Sequence, residues 1–231
     1  LYHGTKDTRV IRKVSDRLYE QYQAWVDENN IKYVNDKPTA HLFPTQKNGG
    51  DCQTSKAPYI GKCNYDAAGA MLSHLVGDLN SPDDQLSGAL YTIDQHASSG
   101  GHASTLAKEA FVYVPENCAS GEPCRAHISF HGCNQYADAV GNAYVTQTGI
   151  NTWADDNNIV VLYPQTKKSL FMPLNPQGCW DWWGYTSSDY ANRDGEQIKA
   201  VTQMLKSLNH EGGSARHFEA EGAQMKETPN E

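Results

Sequence analysis

The sequence predicts an α/β fold, on three observations. Residues 1–3 read as the end of a short strand, Gly4-Thr5-Lys6 as a turn, and Asp7 as a carboxylate just past the strand's carboxyl end, where open α/β sheets place ligand-binding and catalytic groups. Residues 159–163, Ile-Val-Val-Leu-Tyr, are an apolar run of strand length, of the kind covered on both faces by helices. Segments of helical periodicity stand between such strands: in 13–28, Val14, Leu18, Tyr22, Trp25 and Val26 recur at spacings of three and four.

The bulk composition bounds the function. The chain has 231 residues, 39% hydrophobic and 20% charged, which is globular composition long enough for one sizeable core. No apolar run approaches the roughly 20 residues of a membrane-spanning helix, so no membrane partner is expected. The net charge of −8 argues against nucleic acid and anionic surfaces, which call for clustered Lys and Arg. The expected substrate is neutral or small.

Of the six cysteines, Cys52 and Cys63 flank a Ser/Pro/Gly-bearing loop, and Cys118 and Cys124 flank Ala-Ser-Gly-Glu-Pro. Zinc knuckles would be tighter, so these loops read as disulfides of an exported protein. Cys133 and Cys179 would then pair over a long loop, a closure worth about 4 kcal/mol in the chain-entropy picture. An extracellular location follows. No signal peptide stands in the chain, which starts at Leu1 inside a strand, so an amino-terminal part is expected to be missing.

Along the chain, Asn29-Asn30 ends the first helix, and 31–34 alternate as a short strand. A turn around Pro38 leads to His41 in Ala-His-Leu-Phe-Pro-Thr. Residues 44–62 read as loop and 64–79 as a helix rich in small residues. The stretch 85–110 is polar and irregular, with a possible strand at 90–93. Strands are expected at 110–114 and 126–130, the second running into His131-Gly132-Cys133, then a helix at 144–157, the strand 159–163 and a helix at 195–208. From 210 to 231 aliphatic residues nearly vanish, and a disordered tail is expected.

Three motifs carry chemistry. Asp7 and His41, joined by one crossover helix, place an acid beside an imidazole. A histidine acts as general base on a hydroxyl when a carboxylate fixes its tautomer. His131-Gly132-Cys133 ends a strand where hydrolases of the α/β type aim a backbone N–H at a developing oxyanion. The stretch Cys179-Trp180-Asp181-Trp182-Trp183 holds three tryptophans in four residues, too many for one loop to bury, so an apolar platform for a hydrophobic polymer is expected. His127 and His131 share one strand face without a third ligand, so no metal and no cofactor is expected. No G-x-S-x-G occurs; its nearest imitation, Ser98-Ser99-Gly100-Gly101, lies in a stretch read as polar loop.

Taken together, HGTKDTRV, TAHLFPT, CNYDAAGAML, a VYVP strand, CRAHISFHGCNQ, GINTWADDNNIVVLYPQ and NPQGCWDWWGY resemble the extracellular polyhydroxybutyrate depolymerases over residues 1 to about 208. The resemblance implies a circularly permuted α/β-hydrolase-like fold with a mostly parallel sheet, incomplete in this chain. It implies a partial catalytic domain over 1–209, with an acid and histidine segment at 1–43 and an oxyanion-hole half at 110–209. It makes Asp7 the triad acid, His41 the base and Cys133 an oxyanion-hole donor, with Trp182 and nearby Trp180 at the substrate subsite. It also favours the pairs Cys52–Cys63, Cys118–Cys124 and Cys133–Cys179. In the permuted proteins the serine-bearing segment precedes the acid, so this chain alone is expected to be an inactive monomer completed by the missing segment. The implied function is hydrolysis of poly(3-hydroxybutyrate) and its oligomers by a secreted serine esterase. The alternatives are a feruloyl or acetyl ester hydrolase and a non-catalytic polymer-binding protein.

Overall fold

A computed structural model describes residues 1–83 and 85–210; nearly all of the expected disordered tail lies outside these residues. The elements run α1 (Arg12–Gln23), β1 (Phe43–Thr45), β2 (Gly50–Asp51), β3 (Ile60–Lys62), α2 (Ala67–Val76), β4 (Ala89–Asp94), α3 (Gln95–Ser98), β5 (Glu109–Val114), α4 (Glu116–Ala119), β6 (Arg125–Ile128), α5 (Ala137–Val140), α6 (Ala143–Gln147), α7 (Ile150–Asp155), β7 (Ile159–Tyr163) and α8 (Glu196–His210).

Four strands form the main sheet in the order β4-β5-β7-β6. Its pairs β4·β5 and β5·β7 are antiparallel, while β6·β7 is parallel in the register Arg125↔Ile159 to Ile128↔Leu162. With β1·β3 and β2·β3 also parallel, three of the five pairings between named strands among the described residues are parallel, while the main sheet itself is mixed.

The strand alternation sorts the core into two layers. Tyr113, Ile159, Val161 and Tyr163 pack under α2, α6 and α7 with Ala68, Leu72, Val145, Ile150 and Ala154. Ala110, Val112, Val114 and Leu162 face the opposite side and pack against Ala200, Val201 and Met204 of α8. Val161 and Leu162 are each essentially inaccessible on opposite faces, which is why 159–163 carries no polar position.

Several local expectations change. The strand at 31–34 reduces to a single parallel bridge, Tyr2↔Val34. Residues 43–62 are a small parallel sheet rather than loop; its strands of two or three residues are too short to show alternation. The helix expected over 144–157 breaks between α6 and α7, because Gly149 takes φ 82°, a conformation open to glycine. The apolar face of α1 is present but uncovered: the helix buries no residue, and Val14, Leu18 and Tyr22 are exposed.

Candidate active site

The acid and the histidine meet because two distant segments zip together. His3 N–H bonds Val34 O, Thr5 N–H bonds Lys37 O, and Lys6 N–H bonds Thr39 O at 3.1 Å, while Tyr2 and Thr39 share a hydroxyl hydrogen bond of 2.7 Å. Gly4 is required at this crossing, since a Cβ there would lie 2.1 Å from Thr39 O. The turn that follows sets Asp7, and His41 stands two residues after Thr39 on the opposing segment. Asp7 Oδ2 lies 2.8 Å from His41 Nδ1.

Asp7 Oδ1 accepts from Arg9 N–H at 2.9 Å and from Val10 N–H at 3.0 Å, which fixes the carboxylate plane. Burial alone would raise this carboxyl, but the hydrogen bonds from Val10, His41 and Arg9 outweigh it and hold Asp7 below the ordinary carboxylate value. An ionised Asp7 makes Nδ1 the donor and leaves Nε2 as the basic nitrogen. Nε2 has no hydrogen-bond partner among the described residues. The histidine backbone is held in turn: Ala40 N–H bonds Cys52 O, and Ser55 Oγ donates to His41 O at 2.9 Å. The Cys52–Cys63 bridge closes that loop.

Within residues 132–135 of the turn after β6, one amide has no acceptor among the described residues. Gly132 N–H donates to Gln135 Oε1 at 2.8 Å, Asn134 N–H to Gln177 O at 2.7 Å, and Gln135 N–H to Gly132 O at 3.1 Å. The Cys133 N–H alone among these neighbours has no acceptor among the described residues. Asn134 takes φ 59° to make the turn, and the Cys133–Cys179 bridge pins it to the loop after β7. Cys118–Cys124 forms as well, so all three expected pairs are present.

Asp7, His41 and Cys133 line one cleft of about 860 Å³, together with Phe43, Met71 and Phe130. The tryptophans separate. Trp180 is half-buried with its ring against Phe130 at 4.9 Å and His131 at 5.6 Å, so it supports the turn from behind. Trp182 is 70% exposed and touches Trp183. Neither Trp180 nor Trp182 lines the cleft.

His131 is structural in its contacts. Nδ1–H donates to Gly132 O at 2.8 Å, and Nε2 accepts from Thr166 N–H at 3.2 Å. Burial pushes this imidazole down to about 4, so it stays neutral. No group of three or more His, Cys, Asp or Glu among the described residues is placed to hold a metal.

The segment Ser98-Ser99-Gly100-Gly101 ends the one-turn α3 at Ser98 and continues as a turn over 99–101, so it lies after the helix and forms no strand-to-helix elbow. Ser99 is nevertheless buried, with its hydroxyl directed to His96 O. Sequence reasoning missed Gln135, whose amide Nε2 donates to Pro58 O and Tyr59 O and so ties the Cys133 turn to the segment that leads into β3. Its position three residues after Gly132, beside Asn134, is the only local signal.

No protein-family profile matches the chain. Among curated proteins, it is 38% identical over 213 residues to a poly(3-hydroxybutyrate) depolymerase of Delftia acidovorans, across 90% of this chain and 42% of that protein. It is 36% identical over 221 residues to a polyhydroxybutyrate depolymerase of Talaromyces funiculosus, across 90% of this chain and 65% of that protein. The chain therefore spans less than two thirds of the length of each of these curated relatives. Among solved structures, the PHB depolymerase from Penicillium funiculosum matches with a TM-score of 0.86 at 36% identity, over 89% of this chain and 68% of that one. An alanine-for-serine variant of a PHB depolymerase complexed with an R3HB trimer matches with a TM-score of 0.85 at the same identity and coverage.

Proposed function

The chain belongs to the polyhydroxybutyrate depolymerase family, and on that premise we propose that it supplies the acid, the base and one oxyanion donor of a secreted serine esterase. Its substrates are poly(3-hydroxybutyrate) and hydroxybutyrate oligomers. The observation that carries the reading is the 2.8 Å Asp7–His41 pair sharing a cleft with the unbonded Cys133 N–H.

In this reading a serine on a strand and helix outside the described residues enters the cleft beside β6. His41 Nε2 takes the proton from the serine hydroxyl as its oxygen attacks the ester carbonyl. Asp7 stabilises the imidazolium, and the oxyanion settles on Cys133 N–H and the amide after the serine. The imidazolium then protonates the departing alcohol, and water releases the acid by the same steps. Three disulfides in 231 residues support an extracellular setting.

The test is completion. The 231-residue chain alone is expected to give no hydrolysis of a p-nitrophenyl ester above background. Fusing to Leu1 the segment of the Penicillium funiculosum protein that this chain does not match should restore hydrolysis of that ester and of hydroxybutyrate trimer. Activity of the chain alone that depends on one of its own serines would overturn the reading.

Trp182 enters as a contact at the rim rather than inside the cleft. In the completed enzyme Trp182→Ala should lower kcat/KM on the trimer by about tenfold while leaving the melting temperature nearly unchanged, since the ring is largely in water. A buried tryptophan would instead cost about 3–5 kcal/mol of stability. Loss of stability with unaltered kinetics would remove Trp182 from the subsite.

A further inference from the structure

The base and the oxyanion donor stand on different sheets. His41 precedes β1 of the small sheet and Cys133 follows β6 of the main one, and no strand pairing joins the two sheets among the described residues. Ester hydrolysis needs imidazole and amide at a fixed separation, because a misplacement of about 1 Å lowers the rate by about 10²-fold. Sheet register does not set that separation, so a side chain has to.

Gln135 is placed to do so. It is 8% exposed and lines the cleft. Its Oε1 accepts from Gly132 N–H at 2.8 Å, and its Nε2 donates to Pro58 O at 2.9 Å and to Tyr59 O at 3.2 Å. Tyr59 O also accepts from Phe43 N–H at 2.8 Å, and Ser55 Oγ donates to His41 O at 2.9 Å. Residues 55–59 thus hold the base segment at positions 41 and 43. Gln135 completes an unbroken path of hydrogen bonds from the amide beside Cys133 N–H to the amide two residues past His41.

The chemistry of this strut calls for glutamine. Its partners are one N–H and two carbonyl oxygens, so a flipped amide would set donor against donor and acceptor against acceptors. A glutamate of the same length could accept but not donate, and a methionine could do neither strongly. The same bonds sort the amides of the turn. Gly132 N–H is taken by Gln135 Oε1 and Asn134 N–H by Gln177 O, which leaves the Cys133 N–H for an oxyanion. Asn48 Nδ2 also leaves the small sheet's loop, for Gln147 O at 3.0 Å, but it bonds neither the Cys133 turn nor residues 41–43.

We propose that Gln135 is the positioning residue that sets the distance between base and oxyanion donor, its side-chain amide coupling the His41 segment to the Cys133 turn so that the two move as one unit. The assignment rests on the esterase reading for what those two groups do. It adds a residue that takes no part in proton transfer or oxyanion binding.

The experiment has two arms, and the first needs no serine. In the 231-residue chain, amide hydrogen exchange followed by NMR should show Gly132 and Phe43 protected. Gln135→Met, which keeps the length of the side chain, should speed exchange at both by about tenfold or more and leave the amides of β7 unchanged. Gln135→Glu should speed Phe43, and it carries the measurement if the methionine variant does not fold. In the second arm, either variant of the completed enzyme should lower kcat on a p-nitrophenyl ester by about 10²-fold with KM within about twofold. A trifluoromethyl ketone, whose hemiketal oxygen sits on the same amide, should lose affinity by the factor lost in kcat/KM. A lower melting temperature with kcat and ketone affinity unaltered would overturn the proposal, as would faster exchange at Gly132 with none at Phe43. A completed enzyme inert before any substitution would end the esterase reading, while the exchange arm would still decide whether Gln135 couples the two segments.

Discussion

In the completed enzyme, Asp7→Asn should lower the rate on a p-nitrophenyl ester by about 10⁴-fold, and His41→Ala by at least as much. The asparagine variant is informative because it changes so little. Asn Oδ1 still accepts the Arg9 and Val10 amides, at positions that now lie 2.9 and 3.0 Å from Asp7 Oδ1, so the turn survives. The side-chain amide then presents N–H to His41 Nδ1, which forces the proton onto Nε2 and abolishes the base. Removing the imidazole takes away base and acid together. Stopped assays on the ester and the trimer, with circular dichroism to verify the fold, check both variants. A loss of tenfold or less for either would mean that the 2.8 Å pair is structural.

The second large effect concerns stability. His131 is buried with its imidazole pushed from 6.5 down to about 4, so in the window between these values the unfolded chain binds a proton that the folded chain refuses. Stability is then full above about pH 6.5 and falls as the pH drops toward 4, by about 3 kcal/mol in all. His127, partly buried and also shifted down, adds a loss of the same sign. Asp7 acts elsewhere: its folded value lies below the ordinary carboxylate range, so its contribution is lost only in stronger acid. Urea midpoints at intervals from pH 7 to 4 check the slope, and His131→Gln should flatten most of it. A midpoint that stays level from pH 6.5 to 4 would contradict the neutral, buried His131.

What was legible in the sequence follows from how local each cause is. Residues 159–163 announce a buried strand because every position is covered, and the glycine turn before Asp7 is legible because turn chemistry is local, whereas the strand expected at 1–3 is only the single bridge Tyr2↔Val34. The small sheet at 43–62 was hidden, since strands of two or three residues containing Pro44, Gly50 and Gly61 have no room for alternation. The spacing in α1 correctly showed an apolar face but could not say whether anything packs on it. The site divides the same way. His41 and the Cys133 turn stood out as residue types at strand ends. Which amide of that turn is left unbonded depends on Gln177 and on the Gln135 side chain, and Gln135 in turn depends on Pro58 and Tyr59, contacts that no spacing encodes.

The bridge between Cys133 and Cys179 has a consequence for biogenesis. β7 is the last strand among the described residues, yet it slots between β5 and β6, and the two cysteines follow the parallel neighbours β6 and β7. Cys52–Cys63 and Cys118–Cys124 span 11 and 6 residues and can close while the chain is still emerging. The third bond spans 46 residues and has to wait until β7 has inserted. A register slip of one residue would move its partners apart by about 3.3 Å and turn every side chain of β7 to the wrong face. Its oxidation is thus a covalent record that the sheet was assembled correctly.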